Sequence, residues 1–357
     1  MDFFTKVDIP AAGFEIDYTS RIAFFGSCFA DNISAQFSAR KFNVLANPFG
    51  TVYNPVSIAT QIRAIASGKV FGEGDVFQDA RSAQDARGPW YSWDTHGSLS
   101  ASTREECIAK LNDAASSARE FLQQADVMFI TLGTAFVYYL KDASATGNGD
   151  AHGRAVANCH RQAPALFERR MITVEEAARA LENIVQDLHR LNPKSHIVFT
   201  VSPLRHMGDG AHNNTLSKAT LMLAVNNVIN KVTTVPSASS GTLPVSYFPS
   251  YEIVMDELRD YRFYADDMVH LSKTAEEYIF ERMAETYCSE KTRADIAQVE
   301  KLMRMANHRI ADPESPATYA VAEKILAQAG ELEKKIPGLD LSEEKQKFRE
   351  TTLHVRG

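Results

Sequence analysis

Ile22-Ala23-Phe24-Phe25-Gly26-Ser27-Cys28-Phe29-Ala30-Asp31-Asn32 is the stretch whose reading decides the fold. An apolar run between Arg21 and Gly26 has the composition of a strand buried on both faces, as in a parallel sheet. A helical pattern follows at once, with Asp31 and Asn32 as caps for a helix over 33–41. A strand that turns straight into a helix carries Ser27 and Cys28 to the carboxyl edge of the sheet. Open α/β folds bind ligands at that edge. The adjoining helix N-terminus favours negative charge and a thiolate.

The alternation continues along the chain. Strands are expected at 42–45, 126–134, 195–201 and 245–249, and helices at 56–67, 102–124, 174–191, 215–231 and 273–287. Thr173 and Glu176 form a capping box at the front of 174–191. Five strands separated by helices mean a three-layer α/β/α domain with a mainly parallel sheet. The order 2-1-3-4-5 puts the first strand's loop at a switch point.

Two segments interrupt the pattern. Residues 68–100 gather Trp90, Tyr91, Trp93, Asp94 and His96 between glycines. They form either a packed surface loop with aromatic anchors or a lid, and the packed loop is the preferred reading. Residues 135–157 suggest a β-hairpin around a turn at 145–150, which returns Asn158, Cys159 and His160 towards Gly133. From 290 on, the chain is polar and helical, with breaks at Pro313, Pro316 and Pro337. This helical C-terminal extension is expected to pack on the rim of the domain or on a partner, a second copy included. The expected division is a domain over 1–290, with insertions at about 68–100 and 135–160, and an extension over 291–357.

The totals exclude several classes. With 357 residues, 45% apolar, 23% charged and a net charge of −7, the chain is a globular protein without the basic balance of a nucleic-acid binder. Its four cysteines, Cys28, Cys107, Cys159 and Cys288, show no Cys-x-x-Cys spacing for a zinc ribbon or a redox dithiol. Free thiols, no signal-peptide layout and no apolar run of spanning length give the expectation of a cytoplasmic protein that does not engage a membrane. No metal or cofactor is expected. A phosphate or nucleotide binder of the same architecture would need a Gly-rich cradle, which the sequence lacks.

Polar or Gly-bearing loops end four of the strands, at 26–28, 47–54, 133–134 and 202–210, and Asp267-x-x-His270 follows the fifth. In that spacing the carboxylate can hold the imidazole through Nδ1–H, leaving Nε2 for a nucleophile. A nucleophile near the N-terminus with Asp and His near the C-terminus is an acyl-transfer arrangement.

Together these motifs resemble the GSCFA family, and through it the SGNH/GDSL-like hydrolases. The resemblance covers roughly 20–290. It rests on Gly26-Ser27-Cys28-Phe29-Ala30, on Asn47-Pro48-Phe49-Gly50-Thr51-Val52-Tyr53-Asn54-Pro55, on Asn158-Cys159-His160, on Ser202-Pro203-Leu204-Arg205-His206 and on Asp267-Met268-Val269-His270. It implies a flavodoxin-like, SGNH hydrolase-like sheet of the order above. It also implies a nucleophile after the first strand, a backbone donor from a glycine after the second, a Gly-x-Asn-Asp after the third, and the final Asp-x-x-His. Cys28 falls on the nucleophile serine, Ser27 on the aspartate before it, Gly50 on the second-block glycine and Gly133 on the third. Ala135 and Phe136 stand where Asn and Asp belong, so an oxyanion donor is vacant, with Thr134, Asn47 or Asn158 as replacements. A one-residue slip would make Ser27 the nucleophile.

The expected activity is that of a hydrolase or acyltransferase acting on an O-acyl ester of a small molecule or sugar. Cys28 (or Ser27) attacks, His270 is the base, Asp267 orients it, and the Cys28 and Gly50 amides receive the oxyanion. His160, Arg205 and His206 are expected on substrate. Other readings stand beside these. Cys28 can be an inert buried thiol, Ser27 a helix cap, His160 a structural histidine, Arg205 and His206 a solvated pair, and Asp267-x-x-His270 a capping turn. The whole can be a binding module that kept the fold and lost the chemistry.

Overall fold

The computed structural model describes residues 4–78, 88–141, 153–234, 244–307 and 316–353. In chain order the strands are β1 (Arg21–Gly26), β2 (Asn43–Ala46), β3 (Phe77–Gln78), β4 (Trp90–Tyr91), β5 (Val127–Leu132), β6 (Phe136–Leu140), β7 (Ala155–Val156), β8 (Phe167–Met171), β9 (His196–Val201) and β10 (Val245–Tyr247). The helices are α1 (Cys28–Ala39), α2 (Pro55–Ser67), α3 (Arg104–Leu122), α4 (Val174–Leu191), α5 (Ala211–Thr234), α6 (Ser250–Glu252), α7 (Lys273–Tyr287), α8 (Glu290–Ala306), α9 (Pro316–Lys335) and α10 (Ser342–Leu353).

Two compact units divide the chain. One comprises Met1–Asp8, Ile22–Asn32 and Leu45–Glu276, the other Ile9–Arg21, Ile33–Val44 and Glu277–Gly357. The C-terminal helices thus share their unit with two early segments of the chain.

The first unit is built on a five-stranded sheet of order β10-β9-β5-β1-β2, the expected 2-1-3-4-5. Pairings β1–β5, β5–β9 and β9–β10 are parallel. Every residue of β5 is buried, which is why its sequence is continuously apolar rather than alternating. On one face Phe25, Ile130, Phe199 and Val201 join a single core with residues of α2, α3, α4 and α5. On the other, Phe24 and Phe129 stack at 5.0 Å, and Thr200 hydrogen-bonds Ser250 of α6. Helices therefore meet both faces of the sheet.

Three local expectations need correction. The first helix starts at Cys28, not at 33. The Ser27 carbonyl accepts from the Ala30 amide at 2.7 Å, so the first turn closes directly on the strand end. Asp31 and Asn32 are therefore not caps. Asp31 accepts from Asn47 Nδ2 and Thr51 Oγ1 at 2.7 and 2.8 Å, and Asn32 donates to Glu276. Gly26 makes this sharp turn possible: its φ is +134°, and a Cβ there would lie 2.0 Å from the Thr131 carbonyl oxygen. Third, the hairpin of β6 and β7 gains an unexpected strand, β8, on its other edge. The turn at 145–150 and Pro313 lie outside the described residues.

The aromatic segment packs as a loop. Trp93 stacks on Phe77 at 3.7 Å, and buried Asp94 binds Arg154 at 2.6 Å. In the second unit Arg40, itself buried, holds Glu277 and Glu300 at 2.6 Å each and covers the Phe280 ring at 3.8 Å.

Candidate active site

The loops at the carboxyl edge of the sheet surround a cleft of about 490 Å³. Ser27 and Cys28 reach it from the β1–α1 turn, Tyr53 and Asn54 from the loop before α2, and Asn158 from the segment after β7. Arg205, His206 and His270 also line it.

Asp267 and His270 form the expected local pair. Asp267 Oδ2 lies 2.5 Å from His270 Nδ1, and Asp267 Oδ1 accepts from the amides of Val269 and His270 at 2.9 Å each. Met268, at φ +57°, makes the turn that brings the imidazole back over the carboxylate. These bonds, the imidazole's first, hold the Asp267 carboxyl at about 2. With Nδ1 engaged, Nε2 is the ring nitrogen left for the cleft that His270 lines.

Cys28 is half-buried, and burial pushes its thiol above the ordinary value, with the Asp31 carboxylate adding to the rise. The helix-start amides of Cys28 and Phe29, and then Lys218, oppose this without reversing it. Desolvation and a like charge thus outweigh the helix start, against the expectation of a favoured thiolate. Ser27 is 1% exposed, and its Oγ has no hydrogen-bond partner among the described residues.

Several groups assigned to the oxyanion are already occupied. The Gly50 amide donates to the Asn47 carbonyl at 2.7 Å, which closes its turn, and Gly50 is not part of the cleft wall. The Gly133 and Thr134 amides both donate to the Tyr53 carbonyl, at 2.8 and 3.0 Å. Asn47 ties the loop together, accepting from the Gly26 amide at 2.8 Å and donating to Asp31 at 2.7 Å. Thr134 lines the cleft, and its hydroxyl accepts from the Phe136 amide at 3.1 Å and meets Ser217 Oγ at 3.1 Å.

Two asparagine amides remain. Asn54 Oδ1 caps α2 by accepting from the Ser57 amide at 2.8 Å. Asn158 Oδ1 accepts from the His160 amide at 2.7 Å. Each bond fixes the side chain by its oxygen and leaves Nδ2 as a donor in a residue of the cleft wall.

The sequence profile of the GSCFA family matches residues 21–283. The chain belongs to the GSCFA family. The profile of the GSCFA domain protein C-terminal domain matches residues 299–353. No curated protein sequence matches. Among solved structures this GSCFA chain is similar to a carbohydrate esterase family 3 protein from Talaromyces cellulolyticus. That match has 9% identity and a TM-score of 0.30, covering 79% of this chain and 99% of the other. It is also similar to the acetyl xylan esterase Est2A from Butyrivibrio proteoclasticus, at 10% identity and a TM-score of 0.26, covering 78% and 64%.

Within the GSCFA chain the fold brings together Ser27, Cys28, Thr134, Asn158, Arg205, His206 and His270. His160 is not in the cleft wall. It is 6% exposed, its Nε2 meets the Ser92 carbonyl at 2.8 Å, and its ring lies 4.4 Å from that of Tyr91. Burial lowers its pKa. The aromatic segment takes this histidine as a packed residue, away from the cleft where a substrate contact was expected. His206 stays in the wall, its ring edge-on to Tyr53 at 5.5 Å. Burial, then Lys218, lowers His206 to about 4, so it is neutral at neutral pH.

Lys218, like Asn54 and Arg169, is a residue that sequence reasoning missed. It lies on α5 and is 1% exposed, and its Nζ donates to the carbonyls of Gly133 at 2.6 Å and Ser202 at 2.7 Å. Burial, then Arg205, lowers it to about 7, with Cys28 opposing. A lone lysine in a helical pattern looks solvated, and no local signal marks it as buried. Arg169 of β8, also in the wall, pairs with Asp209 at 2.6 Å. Among the described residues no cluster of three or more His, Cys, Asp or Glu could hold a metal ion, and no helix is long and apolar enough to cross a membrane.

Proposed function

We propose that this cleft is the active site of an SGNH/GDSL-like hydrolase or acyltransferase that cleaves O-acyl esters of small molecules or sugars. The observation that carries the reading is the 2.5 Å Asp267–His270 bond on a histidine that lines the same cleft as Cys28. Cys28 Sγ attacks the ester carbonyl while His270 Nε2 takes the thiol proton. Asp267 holds the imidazole and stabilises its charged form. The oxyanion is received by the Cys28 amide and by the Nδ2 of Asn54 or Asn158. Collapse expels the alcohol, which recovers the proton from His270 and leaves a thioester on Cys28. Water or an acceptor alcohol, deprotonated by His270, then releases the acyl group.

The raised thiol suits this general-base route, in which the imidazole takes the proton as attack proceeds. Ser27 is the less favoured nucleophile, because the residue is 1% exposed while Cys28 is half-buried. A second reading, a non-catalytic binding cleft, is supported by Ala135 and Phe136 standing where the resembled hydrolases carry Asn and Asp. Hydrolysis of p-nitrophenyl acetate, with mass spectrometry to trap an acyl-enzyme, separates the two. The catalytic reading expects an acyl adduct on the peptide carrying Cys28 and its loss in Cys28→Ala. Wild-type turnover in both Cys28→Ala and His270→Ala would sink it.

A further inference from the structure

The cleft wall carries a cation, Arg205, that no carboxylate of the described residues pairs, and the buried amine of Lys218 lies behind it. Arg205 is half-buried in its wall, and its hydrogen-bonding contact is from Nη2 to the Met255 sulfur at 3.5 Å. Lys218 behind it is held by two carbonyl oxygens, at 2.6 and 2.7 Å. The contrast with Arg169 on the same wall is direct, since Arg169 has Asp209 at 2.6 Å. No aspartate or glutamate is among the residues lining the cleft.

Two like charges brought together without a counter-ion oppose each other, and burial leaves the Lys218 ammonium poorly solvated. The charge of Arg205 indeed disfavours the protonated form of Lys218. An anion in the cleft would relieve both costs. A guanidinium without a carboxylate partner presents a planar fork of donors that matches carboxylate or phosphate oxygens two at a time.

We infer that the ester cleaved here carries an anionic group, a carboxylate or a phosphate, gripped by Arg205 with the charge of Lys218 behind it. This rests on the reading of the cleft as an ester site. It goes further by excluding purely neutral esters as the preferred substrate class.

The test compares p-nitrophenyl butyrate with p-nitrophenyl hemisuccinate, which differ in the charge at the far end of the acyl chain. In the wild type, kcat/KM for the charged ester, or affinity for a charged ligand over its neutral counterpart, should be higher by about tenfold or more. In Arg205→Met the ratio should fall towards one, with Arg205→Lys between. Calorimetry on the same proteins reads binding without turnover, using succinate against succinamide and glycerol 3-phosphate against glycerol. The better-bound anion names the source of the charge.

If no ester is cleaved but an anion binds and Arg205→Met loses it, the catalytic reading falls and the anion site stands. The inference is overturned if no charged ester or ligand is preferred, if neither anion binds, or if Arg205→Met keeps the wild-type ratio.

Discussion

Lys218 Nζ lies 2.6 Å from the carbonyl oxygen of Gly133, the residue that follows the third strand of the central sheet in chain order. Through its second bond, to Ser202, the same ammonium ties the ends of β5 and β9 together beneath the cleft. Held at about 7, Lys218 binds fewer protons in the folded chain than in the unfolded chain, where its ordinary value is 10.5. Between those values the unfolded state carries more protons, so this group makes stability rise with pH and weakens the fold most at and below neutrality. Lys218→Met removes that dependence. Urea unfolding at pH 7 and pH 10 should show the variant faring better relative to wild type at the lower pH. A stability difference that stays constant across the two would count against the assignment.

Asp267 stays ionised far below neutrality, at about 2, so the carboxylate that orients His270 is present throughout the neutral range. Asp267→Asn should leave thermal stability unchanged and reduce kcat on an activated ester by about 10²–10⁴. Unchanged kcat in this variant would make the pair a turn-forming device only.

Cysteine labelling tests the nucleophile's environment. Cys28 and Cys159 are half-buried, Cys107 and Cys288 are buried, and burial raises all four thiols, Cys159 to about 11 and Cys288 to about 12. Iodoacetamide should modify Cys28 first, followed by Cys159. The Cys28 rate should keep climbing with pH past the ordinary thiol value, because the thiolate is the reacting form. Peptide mass spectrometry over a pH series reads both. A Cys28 rate already at its plateau near neutrality contradicts the raised thiol.

Asn54 caps α2 and is one of the two proposed oxyanion donors, and one substitution separates the roles. Asn54→Asp retains the oxygen that caps α2 and removes the Nδ2 donor, so melting should be preserved while kcat falls by about 10²–10³. Asn54→Ala should also cost about 1 kcal/mol through the lost cap. If Asn54→Asp keeps full kcat and Asn158→Asp does not, the donor is Asn158.

In the helical unit, Arg40→Met leaves Glu277 and Glu300 without their shared partner. Glu277 is half-exposed and regains water, so the loss should be about 3 kcal/mol, at the low end for a broken buried pair. Chemical denaturation followed by circular dichroism measures it.

What the sequence determined by itself was whatever is encoded over a few neighbouring residues. The apolar runs of β1 and β5 announced strands buried on both faces, and the five-strand alternation with helices led to the observed order. Thr173 and Glu176 cap α4 as their spacing required. Asp267 meets His270 because they stand three positions apart and a single turn closes the gap. The tertiary structure decided everything that depends on distant segments meeting. Asp31 left its capping role for Asn47 and Thr51, and β8 joined the excursion sheet. His160 went into an aromatic core, the Gly50 amide into a turn, and Lys218 under the cleft. A polar side chain's burial and partners depend on which strand ends converge around it. Hydrogen bonds between residues tens of positions apart leave no periodic trace in the chain that makes them.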